Sequence, residues 1–157
     1  MTKTLKEIYS QEKTVISYEI FPPKNDSDGE KENRLFEELK ILKGFGPSLI
    51  SVTYGAGGST ANQSFELVKR IKPDLKVAPM PHFTCVATGY GNIRAYMNNL
   101  EELGIKNILA LRGDIPEGNY FSDFQHASDL IEYIKSDHKL SVAAAGYPEG
   151  HIDSPTI

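Results

Sequence analysis

Residues 107–114 read Asn-Ile-Leu-Ala-Leu-Arg-Gly-Asp, a short apolar run that breaks off in a charged, glycine-containing turn. Four other short strand-like apolar runs appear: Val15–Phe21, Leu49–Thr53, Val77–Thr84 and Ser141–Gly146. They recur every ~30 residues, the length of one strand–helix unit. Between them lie stripes at helical spacing. Leu35, Phe36, Leu39 and Leu42 share one face, and Phe65, Val68 and Ile71 another. Ile93, Met97 and Leu100 form a third, and Phe124, Ala127, Ile131 and Ile134 a fourth. This spacing predicts four amphipathic helices. Asp26, Ser27 and Asp28 offer an N-cap for the first, Gly104 stops the third, and a further short helix is expected near Thr4–Tyr9.

Continuous apolar strands alternating with helices predict a parallel α/β sheet with both faces covered. Two architectures fit, a (β/α) barrel and a doubly wound sheet. Five strands and four long helices use all 157 residues. That length suits a five-stranded doubly wound sheet, whereas a complete barrel has eight strands and ~250 residues.

Composition narrows the function. Lys plus Arg number 17 against 21 Asp plus Glu, a net charge of -4, and basic residues never cluster beyond a pair. A surface that tracks nucleic-acid phosphates is therefore not expected. The single cysteine, Cys85, excludes an internal disulfide framework. No apolar run reaches the ~18–20 residues of a membrane helix. Met1–Lys13 lacks the apolar segment of a signal peptide, so a cytoplasmic location is expected.

In either architecture ligands bind at the carboxyl ends of the strands, and polar residues gather there. Glu19 stands inside the apolar run Ser17-Tyr18-Glu19-Ile20-Phe21, ahead of Pro22-Pro23. Those neighbours predict a buried, positioned acid, and burial without a cation raises a carboxylate's pKa toward general-acid use. Thr53-Tyr54 lead into Gly55-Ala56-Gly57-Gly58, which matches neither the dinucleotide fingerprint nor the Walker pattern but lets backbone N–H groups approach a flat or anionic ligand. Taken alone, His82 reads as a satisfied core histidine. Arg112 and Asp114 read as a surface ion pair, or as holders of a phosphate and a developing cation respectively. Tyr147 reads as a site residue or as wall packing. Convergence of all five strand ends is what argues for a functional face.

Five motifs occur in order: Tyr18-Glu19-Ile20-Phe21-Pro22-Pro23, Ser51-Val52-Thr53-Tyr54-Gly55-Ala56-Gly57-Gly58-Ser59, Pro81-His82-Phe83-Thr84-Cys85, Leu109-Ala110-Leu111-Arg112-Gly113-Asp114 and Tyr147-Pro148-Glu149-Gly150-His151. Together, from about Thr14 to His151, they closely resemble the methylenetetrahydrofolate reductase family. The resemblance implies a (β/α)8 TIM-type barrel with FAD at its carboxyl end. It implies NAD(P)H-driven reduction of 5,10-methylenetetrahydrofolate to 5-methyltetrahydrofolate in one-carbon and methionine metabolism. Glu19 matches the family's general acid, and Asp114 the carboxylate beside flavin and pterin, so both are expected to meet the folate. Thr53, Tyr54, Ala56, His82, Arg112, Gly113, Asp114, Ala127, Tyr147 and His151 match positions that line the FAD site.

The family's barrel continues through three more strands and their helices, with further FAD-contacting and folate-contacting residues. The expected fold is therefore a barrel truncated to its first five strands and four helices, with residues 1–157 as one incomplete domain. A homo-oligomer, or completion by the missing carboxyl-terminal part of the barrel, is the expected assembly. The rival readings are a non-catalytic barrel fragment that only associates with other chains, and an unrelated five-stranded nucleotide-binding module. The module is disfavoured because the glycine loop follows the second strand rather than the first.

Overall fold

Strand parity organises this chain. A computed structural model describes residues 2–24, 26, 28–55 and 61–151. Its strands are β1 (Ser17–Ile20), β2 (Leu49–Val52), β3 (Ala78–Thr84), β4 (Asn107–Leu111) and β5 (Ser141–Ala144). Its α-helices are α1 (Leu5–Gln11), α2 (Glu30–Leu42), α3 (Ala61–Arg70), α4 (Tyr90–Glu102) and α5 (Ala127–Asp137). The strands pair in parallel in the order β1-β2-β3-β4-β5.

That order decides between the two architectures. A doubly wound sheet reverses its strand order at a switch point, and this sheet never reverses. Side chains alternate between faces along a strand. One parity, including Ile20, Ile50, Val52, Phe83, Ile108 and Ala110, joins a continuous core with Phe36, Leu39, Leu67, Val68, Ile93, Met97, Leu100, Leu130 and Ile134 of α2–α5. The other parity carries Glu19, Ser51, Met80, His82, Thr84, Leu109, Leu111 and Ala143. The long helices thus cover one face only, as in a barrel and not as in a doubly wound sheet. Five sequential parallel strands with their helices outside are the arc of a (β/α) barrel.

Local signals explain most boundaries. Thr4 caps α1 through a reciprocal box: its Oγ1 accepts the Glu7 N–H at 3.2 Å, and a Glu7 carboxylate oxygen accepts the Thr4 N–H at 2.7 Å. Gly29 occupies the N-cap position of α2 with φ 75°. The Asp26 carboxylate accepts the Lys31 and Glu32 N–H groups at 3.0 and 2.8 Å, and Asp28 that of Glu30 at 3.2 Å. Ser27 lies outside the described residues. Gly104, at φ 63°, ends α4 as expected. Phe124 is buried but precedes α5, packing on Tyr90 and Tyr133 from the loop. Ile71 is buried in the turn that follows α3.

The amino end of the sheet is closed by α1. Ile8 packs on Leu49 and Ala78, the first residues of β2 and β3. Asn107, fully buried at the start of β4, accepts the Leu5 N–H at 2.8 Å and donates to the Lys3 carbonyl at 2.9 Å. An Asn107→Ala change orphans both backbone groups, and urea unfolding is expected to show a loss of about 1–3 kcal/mol. Amide exchange should accelerate first in α1.

Candidate functional site

A cleft of about 790 Å³ opens at the carboxyl ends of the strands. Every strand contributes to it, through Phe21, Pro22 and Lys24 after β1, Thr53–Gly55 after β2, His82 and Thr84 of β3, Leu111–Asp114 at the end of β4, and Ala144, Ala145, Tyr147 and His151 at and beyond the end of β5. His126 and Ala127 add the amino end of α5. The structure therefore brings together Thr53, Tyr54, His82, Arg112, Gly113, Asp114, Ala127, Tyr147 and His151. Ala56 lies outside the described residues, as do Gly57 and Gly58. The sequence reading passed over Phe21, Lys24, His126, Ala144 and Ala145. Lys24 and His126 were findable as a lone cation just past a strand end and as the residue preceding a helix.

Glu19 is placed differently from expectation. Its side chain is 51% exposed, whereas that of His82 is 8% exposed. Its apolar neighbours Tyr18 and Ile20 face the helices, so they do not bury it. Glu19 does not line the cleft itself but stands 3.5 Å from the His82 Nε2, beyond a well-formed hydrogen bond. That nitrogen is buried with no hydrogen-bond partner among the described residues. Burial pushes the His82 pKa below its ordinary value, and the Glu19 charge partly restores it. His82 is thus a neutral imidazole at pH 7, held between the acid and the cleft.

The β4 turn is shaped by its own packing. Beyond the paired strands, the Cys85 and Val86 N–H groups donate to the Leu111 and Arg112 carbonyls at 3.1 and 2.9 Å. Gly113 sits at φ 87°, and a Cβ there would meet the Thr84 Cβ at 2.8 Å. Only glycine satisfies both constraints. No ion pair joins Arg112 to Asp114 among the described residues, so the surface-pair reading does not hold. Arg112 is half-buried and Asp114 exposed.

Tyr54 is anchored from behind by Phe83, with ring centroids 5.0 Å apart, and burial raises its pKa, keeping it a phenol. Tyr147 and His151 meet edge to face at 4.6 Å. Among the described residues no cluster of three or more His, Cys, Asp or Glu could hold a metal. No described helix is long and apolar enough to cross a membrane.

Fold and cleft define a protein of the (β/α)-barrel class, with its cleft at the carboxyl ends of the strands, where barrels of this class bind ligands. The family model described as methylenetetrahydrofolate reductase matches residues 4–157. "Methylenetetrahydrofolate reductase (NADH) 1" of Arabidopsis thaliana is 36% identical over 156 residues, covering 95% of this chain and 26% of that protein. "5,10-methylenetetrahydrofolate reductase" of Escherichia coli is 31% identical over 151 residues, covering 96% of this chain and 49% of that protein. The Buchnera aphidicola protein of the same name is 34% identical over 143 residues, covering 91% and 48%. The chain belongs to the methylenetetrahydrofolate reductase family. It spans about half the length of these bacterial relatives and about a quarter of the plant one.

The His82 environment has a signed pH consequence. A folded-state pKa below the unfolded value means the unfolded chain binds the proton first. His82 should therefore lower stability as pH falls below ~6.5, and the loss should level off once pH passes the folded pKa. NMR titration of the imidazole should show the depressed value, and Glu19→Gln should depress it further by removing the carboxylate's attraction.

Proposed function

We propose that this chain forms the cofactor-holding part of a reductase site that converts 5,10-methylenetetrahydrofolate to 5-methyltetrahydrofolate with NAD(P)H and FAD. The observation that carries the reading is the meeting of polar groups from five consecutive strand ends in one cleft, with the Glu19–His82 pair at its flank.

The residues present suit a flavin dinucleotide. The cleft lies within the ~300–1,000 Å³ range of small-molecule sites. The Tyr54 and Tyr147 rings offer flat apolar walls. Arg112 supplies a cation for anionic oxygens. The orphaned His82 Nε2 offers one polar contact.

FAD bound there supplies hydride uptake from the nicotinamide and hydride delivery to the folate. The remaining work falls to this chain's side chains. Glu19, open on the inner face of β1, hands a proton to a folate nitrogen and assists opening of the methylene bridge to an iminium. His82 stands 3.5 Å from that carboxylate, at the cleft wall. Asp114, exposed at the cleft wall, stabilises the positive charge that develops on the folate.

The purified chain is expected to retain absorbance near ~450 nm after incubation with FAD, and NADH or NADPH should bleach it. Arg112→Ala should weaken FAD binding at least tenfold, since a hydrogen bond to a charged group is worth about 1.5–3 kcal/mol. A colourless chain would mean that cofactor binding needs further parts of the barrel. In the complete reductase, Glu19→Gln should leave flavin reduction by the nicotinamide intact and abolish folate turnover. Wild-type folate turnover in that variant would sink the acid role.

One observation favours a second reading, in which the chain acts by associating with other chains. Among the described residues β1 and β5 each pair on one side only, and such edges invite pairing. Ile16, Ile41, Leu42 and Phe45 are exposed besides. A trypsin-resistant monomer in light scattering would count against this reading.

A further inference from the structure

Where β1 and β2 reach the cleft, the ladder between them runs out of donors. The Thr53 N–H donates to the Ile20 carbonyl at 3.0 Å, one residue beyond the last strand pair, Ile20 with Val52. In a parallel ladder the Thr53 carbonyl would next accept from the second residue after Ile20. That residue is Pro22, which carries no N–H. A side chain takes its place. Ser64, the fourth residue of α3 and fully buried, donates its hydroxyl to the Thr53 carbonyl at 2.6 Å. A buried hydroxyl costs free energy unless it is hydrogen-bonded, and serine is not a strong helix former. The bond to Thr53 is what accounts for a serine at this position.

The Thr53 carbonyl belongs to the peptide unit that joins Thr53 to Tyr54. That unit is planar, so fixing its oxygen also fixes the direction in which the chain enters Tyr54. Thr53, Tyr54 and Gly55 together form the β2 wall of the cleft. The Tyr54 ring packs 5.0 Å from Phe83 and 6.1 Å from Tyr96, and Gly55, at φ 78°, turns the chain onward. Ring contacts tolerate a range of angles, whereas a hydrogen bond is directional. The two aromatic neighbours therefore support Tyr54, and the Ser64 hydroxyl sets its bearing.

We propose that Ser64 is the positioning residue of the β2 wall: its hydroxyl replaces the rung that Pro22 cannot supply, and so holds Tyr54 where a flat ligand in the cleft meets it. Ser64 does not line the cleft and acts only through Thr53. The exchange of a backbone donor for one from a helix also ties the wall to α3, which is anchored in the core by Leu67 and Val68. The identity of the flat ligand rests on the flavin reading above. The hydrogen bond and its hold on Tyr54 do not.

Two variants separate the hydroxyl from the space it fills: Ser64→Ala removes the donor, and Ser64→Thr keeps it. In the isotope-labelled chain without ligand, NMR cross-peaks between the Tyr54 and Phe83 rings should weaken in Ser64→Ala and persist in Ser64→Thr. Ser64→Ala should also weaken FAD binding about tenfold, with Ser64→Thr restoring it. In the unaltered chain the Ser64 hydroxyl proton should exchange slowly enough to be observed, a readout that needs neither variant to fold. Three results would each overturn the proposal: ring contacts or FAD affinity unchanged in Ser64→Ala, a Ser64→Thr chain that behaves like Ser64→Ala, or a hydroxyl proton in fast exchange. An unaltered chain that takes up no FAD bears on the flavin reading alone, and the ring contacts and the hydroxyl proton then decide the role of Ser64.

Discussion

Register is the constraint on which this structure depends. β1 meets β2 with Glu19 opposite Ser51, β2 meets β3 with Ser51 opposite Met80, and β3 meets β4 with His82 opposite Leu109. A strand has a side-chain period of two, so a slip of one residue would exchange its faces. Glu19 would then point into the helix layer and Ile20 into the concave face. Burial of Ile20, Ile50, Val52 and Phe83 against the helices therefore also places Glu19 and His82 on the same surface, within reach of each other.

The two ends of the sheet divide their tasks. Helices in such units run antiparallel to the strands, so their carboxyl ends lie at the amino end of the sheet. There the contacts are structural. Lys72 donates to the Leu103 and Gly104 carbonyls at 2.8 and 3.0 Å, covering the end of α4. Glu101 accepts the Lys139 N–H at 2.6 Å and faces the His138 imidazole, which joins α4 to the end of α5. Added to the α1 plug and the Asn107 clamp, these contacts make the lower end rigid without using any group of the cleft. The upper end keeps its exposed acid, its orphaned imidazole and its tight glycine turn.

Strand and helix positions were legible because apolar runs and helical stripes are local signals. The face that each residue takes was harder to read. Met80, Leu109 and Leu111 are apolar on the concave face, which masks the alternation and makes the strands look covered on both sides. The same effect misled the reading of Glu19: flanking residues in a strand face away from the one between them, so their apolarity says nothing about its burial. The cleft itself was well foreshadowed, since polar residues at strand ends can hardly go elsewhere.

The clamp on α1 has a consequence for the order of events during synthesis. Leu5 and Lys3 find their partner in Asn107, separated from them by 102 and 104 residues of chain. At a translation rate of ~5–20 residues per second, the first helix emerges on the order of 5–20 s before that partner exists. Its seven residues are too few to hold a helix alone in water. This helix is thus among the last elements of the arc to settle, and its docking reports that the fourth strand has arrived.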